Sequence, residues 1–160
     1  MNIFDFAMQM EKDGEEYYRE IARKTKDRGI ETIMNMLAEE EVKHYQILLE
    51  MKTRTPKVPE TKILANVKNI FAEMKERHEE PSPDQPQIEM YKKARELEKK
   101  SQDFYEEKSG VVETEEQKEI LLKLADEEKR HFHIIENIIT FVSRPHTWLE
   151  NAEFKHLEDY

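Results

Sequence analysis

The chain has 160 residues, no cysteine and only three glycines; it is 39% charged, with a formal net charge of −10. That length suits one domain that buries a core without cross-links. Without cysteine there is no disulfide, thiolate metal site, rubredoxin-type iron centre or Cys nucleophile in these residues, and the acidity argues against nucleic acid and anionic membranes as partners.

Glu, Lys, Leu and Ile recur at steps of three and four, which predicts an all-α protein. The opening stretch, MNIFDFAMQMEKDGEE, meets acidic residues too early for a signal peptide. No apolar run approaches the roughly 20 residues of a membrane span, so a soluble, cytoplasmic protein is expected. Residues 3–26 form a first amphipathic helix, with Phe4, Ala7, Glu11, Gly14, Tyr18, Ile21 and Thr25 in one row. Arg28–Gly29 is read as a break, and 30–52 as a second helix with Ile30, Met34, Leu37, Leu48 and Met51 on one face. Pro56 and Pro59 end that region. A shorter helix is expected within 61–79, through Ile63, Val67, Ile70 and Met74. The stretch PSPDQP at 81–86 reads as a loop. Long helices follow at 87–109 and about 115–142, and Pro145 stops the last. A tail at 145–160 has the makings of one more short helix around Trp148, Leu149 and Phe154, capping the bundle end.

The chain repeats itself. AMQMEKDGEEYY at 7–18 aligns without a gap on ARELEKKSQDFY at 94–105, and LAEEEVKHYQIL at 37–48 aligns on LADEEKRHFHII at 124–135, both at an offset of 87 residues. Glu11 pairs with Glu98, Tyr18 with Tyr105, Glu41 with Glu128, and His44 with His131. Two helix pairs that copy one another imply a four-helix bundle with approximate two-fold symmetry, its halves joined by a long crossover at 53–86.

Glu-x-x-His places an acid and an imidazole on one helix face. Glu41 and His44 lie within an apolar stripe; so do Glu128 and His131, between Leu121, Leu124, Ile135, Ile138 and Val142. Glu11 and Glu98 occupy core-facing rows beside Ala7 and Ala94. Glu153 and His156 satisfy the same spacing without a repeat mate and are read as an exposed feature of the tail; His78, His133 and His146 are read as ordinary surface or packing histidines. Four bare carboxylates inside a bundle would cost several kcal/mol each, so they must protonate, pair or bind metal. No lysine or arginine shares their rows. Two divalent cations would cancel the four charges, with two imidazoles completing the ligand set. The alternative is a bundle whose faces are misjudged and whose acids lie at the surface, but this does not explain the shared register.

This constellation resembles the ferritin-like di-iron carboxylate superfamily and, within it, the rubrerythrin-type domains, over about 1–52 and 87–142. The resemblance implies one ferritin-like domain spanning 1–160, holding two iron ions, with manganese or zinc as substitutes. By it, Glu41 and Glu128 bridge the metals, Glu11 and Glu98 are terminal ligands, and His44 and His131 each bind one iron. Tyr18 and Tyr105 match tyrosines that hydrogen-bond the family's ligands; their alternative role is core packing. One departure stands out. Rubrerythrin peroxidases carry a further glutamate three residues after the third-helix ligand, where this chain has Ser101, the repeat mate of Gly14. The family's usual rubredoxin domain is also not found in these residues.

The expected function is therefore a di-iron redox protein, leaning towards an oxidoreductase, that reacts with peroxide or dioxygen and draws electrons from a separate donor protein, as a homodimer. Ferritin-like iron oxidation for storage and a non-catalytic helical interaction module are the other two readings.

Overall fold

A computed structural model describes residues 2–81 and 83–143. Among the described residues five helices run in order: α1 (Ile3–Lys24), α2 (Arg28–Met51), α3 (Ile63–Glu76), α4 (Gln85–Ser109) and α5 (Glu115–Ser143). The expected tail helix, Trp148, His146 and the Glu153/His156 pair lie outside the described residues.

The helix ends follow from local chemistry. Asn2 caps α1, its side-chain oxygen accepting from the Asp5 N–H at 2.8 Å. Thr114 and Gln117 form a capping box at the start of α5. The Thr114 hydroxyl accepts from the Gln117 N–H at 3.1 Å, and the Gln117 side chain accepts from the Thr114 N–H at 3.3 Å. Helix α3 closes on His78, at φ 51°, with the Glu79 N–H returning to the Met74 carbonyl at 3.0 Å. That left-handed closure is one histidine tolerates better than most non-glycine residues. His78 is exposed, and His133 is partly buried with Nδ1 3.1 Å from Glu136 Oε1.

Two boundaries differ from the sequence reading. Arg28 and Gly29 do not break the chain but open α2; the break lies at Thr25–Asp27, where Thr25 is extended. Gly29 does not take positive φ. Its small size is used instead for packing, because a Cβ there would sit 2.5 Å from Met74 Sδ. Gln85 and Pro86 likewise belong to the first turn of α4 rather than to the loop, with Asp84 accepting from the Gln87 N–H at 2.9 Å. Proline is well suited to a first turn, where its missing N–H has no intrahelical partner to lose.

Helices α1 and α2 form one close-packed hairpin and α4 and α5 the other, whereas α1 and α4 touch only sparsely. Crossover helix α3 lies against α2 and α5 through Ile63, Val67, Phe71 and Met74, all buried. The apolar interior falls into two clusters. One holds Tyr18, Ile21, Met34, Leu37, Tyr91, Ile134 and Phe141 with the buried side of α3. The other holds Ala7, Leu48, Met51, Tyr105, Leu121 and Leu124. Along every long helix the residues between these clusters are polar: Glu11 on α1, Glu41 and His44 on α2, Glu98 on α4, Glu128 and His131 on α5. A charged layer is thus sealed between two apolar ones.

Candidate metal centre

All six residues singled out by the repeat meet in that layer, none more than 4% exposed. Their donor atoms form two overlapping groups, each with its ligand atoms within 4.8 Å of one another: Glu11, Glu41, His44 and Glu128, and Glu41, Glu98, Glu128 and His131. Glu41 and Glu128 belong to both groups. The other four residues divide evenly, one glutamate and one histidine to each. The two imidazoles stack with centroids 5.7 Å apart and planes 11° from parallel.

His44 presents Nδ1 to the interior, 2.7 Å from Glu128 Oε1 and 3.4 Å from Glu11 Oε1. His131 does likewise at longer range, with Nδ1 3.4 Å from Glu41 Oε1 and 3.7 Å from Glu98 Oε1. Several donor atoms are left over. Glu11 Oε2, Glu41 Oε1, Glu98 Oε2 and Glu128 Oε2 are buried and receive no hydrogen bond from any N–H or hydroxyl, and neither nitrogen of His131 has a hydrogen-bond partner. Buried polar atoms are seldom abandoned in this way. An oxygen-rich set with two inward imidazole nitrogens, four of its carboxylate oxygens and the His131 ring left unsatisfied, fits one or two divalent metal ions.

The charge states follow from the same crowding. Burial, reinforced by the charges of Glu11 and Glu98, pushes the shared acids Glu41 and Glu128 well above the ordinary carboxylate range. Burial also works against ionisation of Glu11 and Glu98, but for Glu11 the His44 charge outweighs it and the carboxyl is lowered. For Glu98, contact with Glu128 and the His131 charge bring the carboxyl down to about 2. Both imidazoles resist the effect of burial because glutamates face them: Glu11 raises His44, and Glu98 raises His131 to about 9. Without metal, burial thus favours the protonated forms of Glu41 and Glu128, and Glu11 and Glu98 favour the charged forms of the imidazoles they face.

Around the six, the tyrosines pair across the repeat. Tyr18 on α1 donates to Glu98 on α4, and Tyr105 on α4 donates to Glu11 on α1 at 2.5 Å. Burial and the neighbouring carboxylates hold both phenols protonated, so they remain donors.

Two residues not singled out in the sequence complete the arrangement. Glu127 on α5 lies with Oε1 2.9 Å from His44 Nε2, and Glu40 on α2 lies with Oε1 3.9 Å from His131 Nε2. They are themselves repeat mates, 87 residues apart. Glu40 is drawn off its histidine: the Thr61 hydroxyl donates to Oε1, and Lys43 Nζ is 3.2 Å from Oε2. Burial opposes its ionisation, but His131, Thr61 and Lys43 bring its carboxyl down to about 2. A carboxylate on the outer nitrogen of an inward-facing imidazole fixes tautomer and ring orientation.

A helical bundle carrying four glutamates and two histidines at its centre defines a ferritin-like carboxylate protein. The rubrerythrin family model matches residues 2–139, and the chain belongs to that family, a ferritin-like di-iron family. Searches of curated proteins and of solved structures return no match. Among the described residues, no helix is long and apolar enough to cross a membrane.

Proposed function

We propose that this chain is a redox protein with two iron ions that turns over peroxide or dioxygen using electrons from a separate donor protein, and that it works as a homodimer rather than as a storage cage. The observation that carries the reading is the pair of overlapping four-residue donor groups sharing Glu41 and Glu128, with buried oxygens left unpartnered. On this reading Glu41 and Glu128 would be shared by both ions, Glu11 and His44 would hold one, and Glu98 and His131 would hold the other. Two irons held there would supply a two-electron change shared between them for the reaction with peroxide or dioxygen.

The rest is the work of the protein. Tyr18 and Tyr105 hold Glu98 and Glu11 in place through their hydroxyls. Glu127 fixes the ring of His44. The two apolar clusters keep bulk water from the charged layer on either side, which strengthens every electrostatic contact inside it. Loading the site requires Glu41 and Glu128 to lose the protons that burial favours, so metal uptake releases acid.

The test is anaerobic purification, metal analysis and stopped-flow oxidation of the ferrous protein by peroxide and by oxygen, with sedimentation of the same sample. Two irons per chain, oxidation within a single turnover and a dimeric mass are expected. Protein without stoichiometric metal would end the reading, and a large shell that mineralises iron would replace it with storage.

A further inference from the structure

Helices α1 and α4 leave a half-enclosed cavity of about 530 Å³ between them, in the range of small-molecule sites. Its walls are apolar: Phe6, Met10, Tyr17, Leu97 and Phe104. Phe6 and Leu97 are exposed and form the lips, with Phe6 stacked on Phe104 at a centroid distance of 5.1 Å. Glu41 and Glu98 also line the cavity. Both are buried, so they lie at its inner end; Glu41 has Oε2 on the side of cavity-lining Gly14, and Glu98 has one oxygen, Oε2, without an N–H or hydroxyl partner.

The cavity is open because two repeat-related positions are small. Gly14 sits mid-helix, where glycine costs about 1 kcal/mol relative to alanine, and it takes no left-handed φ that would require it. A Cβ there would lie 3.4 Å from Glu41 Oε2, so any longer side chain would grow into the space before that carboxylate. Ser101 lines the cavity from the α4 side. Peroxide and dioxygen need no apolar chamber of this size. The mouth is ringed by exposed Gln9, Asp13 and Lys100, which suits a water-facing entrance better than a buried contact with a second copy of the chain.

We infer that the α1/α4 cavity binds a small organic molecule with an apolar chain and one polar end, the chain between Phe6, Leu97 and Phe104 and the end group at Glu41 and Glu98. This rests on the two-metal reading for its chemistry and adds an organic co-substrate to it, but the cavity itself exists without metal.

The experiment uses 1-decanol, titrated calorimetrically into the protein as purified and again after chelation. One molecule per chain is expected in both, with affinity at least tenfold weaker in Ser101→Phe and in Gly14→Leu at unchanged helicity. A measurement on the unaltered sequence stands beside these variants in case either fails to fold. In methyl-labelled protein, 1-decanol should shift the Met10 methyl resonance and leave that of Met74, against α2 on the far side, in place. No uptake up to the solubility limit, equal binding in both variants, or an unmoved Met10 would overturn the inference. So would a dimer that 1-decanol and Phe6→Glu both dissociate, since the occupant would then be a second copy. Metal uptake is read separately from the absorption of added cobalt(II). Full cobalt loading without 1-decanol binding removes this inference alone, and 1-decanol binding without cobalt uptake supports the cavity while removing the two-metal reading.

Discussion

Glu127 on α5 holds the outer nitrogen of His44 on α2, across the interface between the two hairpins, at 2.9 Å. The contact fixes which nitrogen of His44 faces the interior, and carboxylates in this position typically carry about 10–100-fold in metal affinity. Glu127→Ala should therefore weaken binding of the first divalent ion by about tenfold or more, and Glu127→Gln, which can still accept, by less. Competition titration against a chromophoric chelator checks this, and equal losses in both variants would show that the contact is only packing.

The crossed tyrosines predict matched effects from distant positions. Tyr18→Phe strips the hydroxyl from Glu98, and Tyr105→Phe strips it from Glu11. Each leaves a buried carboxylate oxygen without its donor, a loss of about 1–3 kcal/mol. Urea unfolding of the metal-free variants should show destabilisation of that size in both. A neutral result for either would mean that its ring packing matters and its hydroxyl does not.

The pH dependence of the metal-free protein has a definite sign. Glu41 and Glu128 are raised from 4.5 and His131 from 6.5 to about 9, so the folded state keeps protons that the unfolded chain releases. Their stabilisation is complete below the unfolded values and is lost as pH rises through the folded ones. Glu11 and Glu98 are lowered, so their contribution is present above 4.5 and is lost as pH falls below it. Metal-free stability should peak at about pH 5 and decline towards alkaline pH. Calorimetric melts with and without chelator should differ more at pH 8 than at pH 5; a constant difference would count against the buried acids.

Gly29 predicts a packing defect. In Gly29→Ala the new Cβ meets Met74 Sδ at 2.5 Å and Met74 Cγ at 3.0 Å, and Met74 is itself buried. Overpacking of this kind costs about 1–3 kcal/mol, partly offset by the better helix propensity of alanine. A net loss of about 1 kcal/mol is expected, shrinking when Met74 is also shortened to Val. A stabilised single variant would show that Met74 swings aside freely.

Much of the fold and of the site is legible in the sequence. The 87-residue offset identified six side chains by type and register, and the structure brings those six together. Glu40 and Glu127 escaped notice although they share the same offset. Each directly precedes a Glu-x-x-His motif, about 100° round the helix from the stripe, and so reads as solvent-facing; Glu127 reaches in to the His44 imidazole on the opposite helix, and Glu40 is covered by Thr61 of the crossover. For the tyrosines the sequence leaves ligand contact and core packing both open, and their exchange of partners between α1 and α4 depends on how those helices face one another, which no single-helix pattern encodes. The α2 and α4 starts were displaced for a plainer reason. Glycine and proline were read as breakers, while the structure uses one for close approach and the other in a first turn.

The crossover passes once through a molecule that otherwise occurs twice. Its Thr61 ties down Glu40, with Lys43 on the other oxygen, and His131 is left at 3.9 Å where His44 has a carboxylate at 2.9 Å. The two donor sets therefore match in composition but not in rigidity: one imidazole is clamped in advance, and the other must be oriented by whatever binds it. On the proposed two-metal reading, such a centre should fill in two unequal steps, the His44 side first, with the duplication supplying the two donor sets and the crossover setting the order in which they fill.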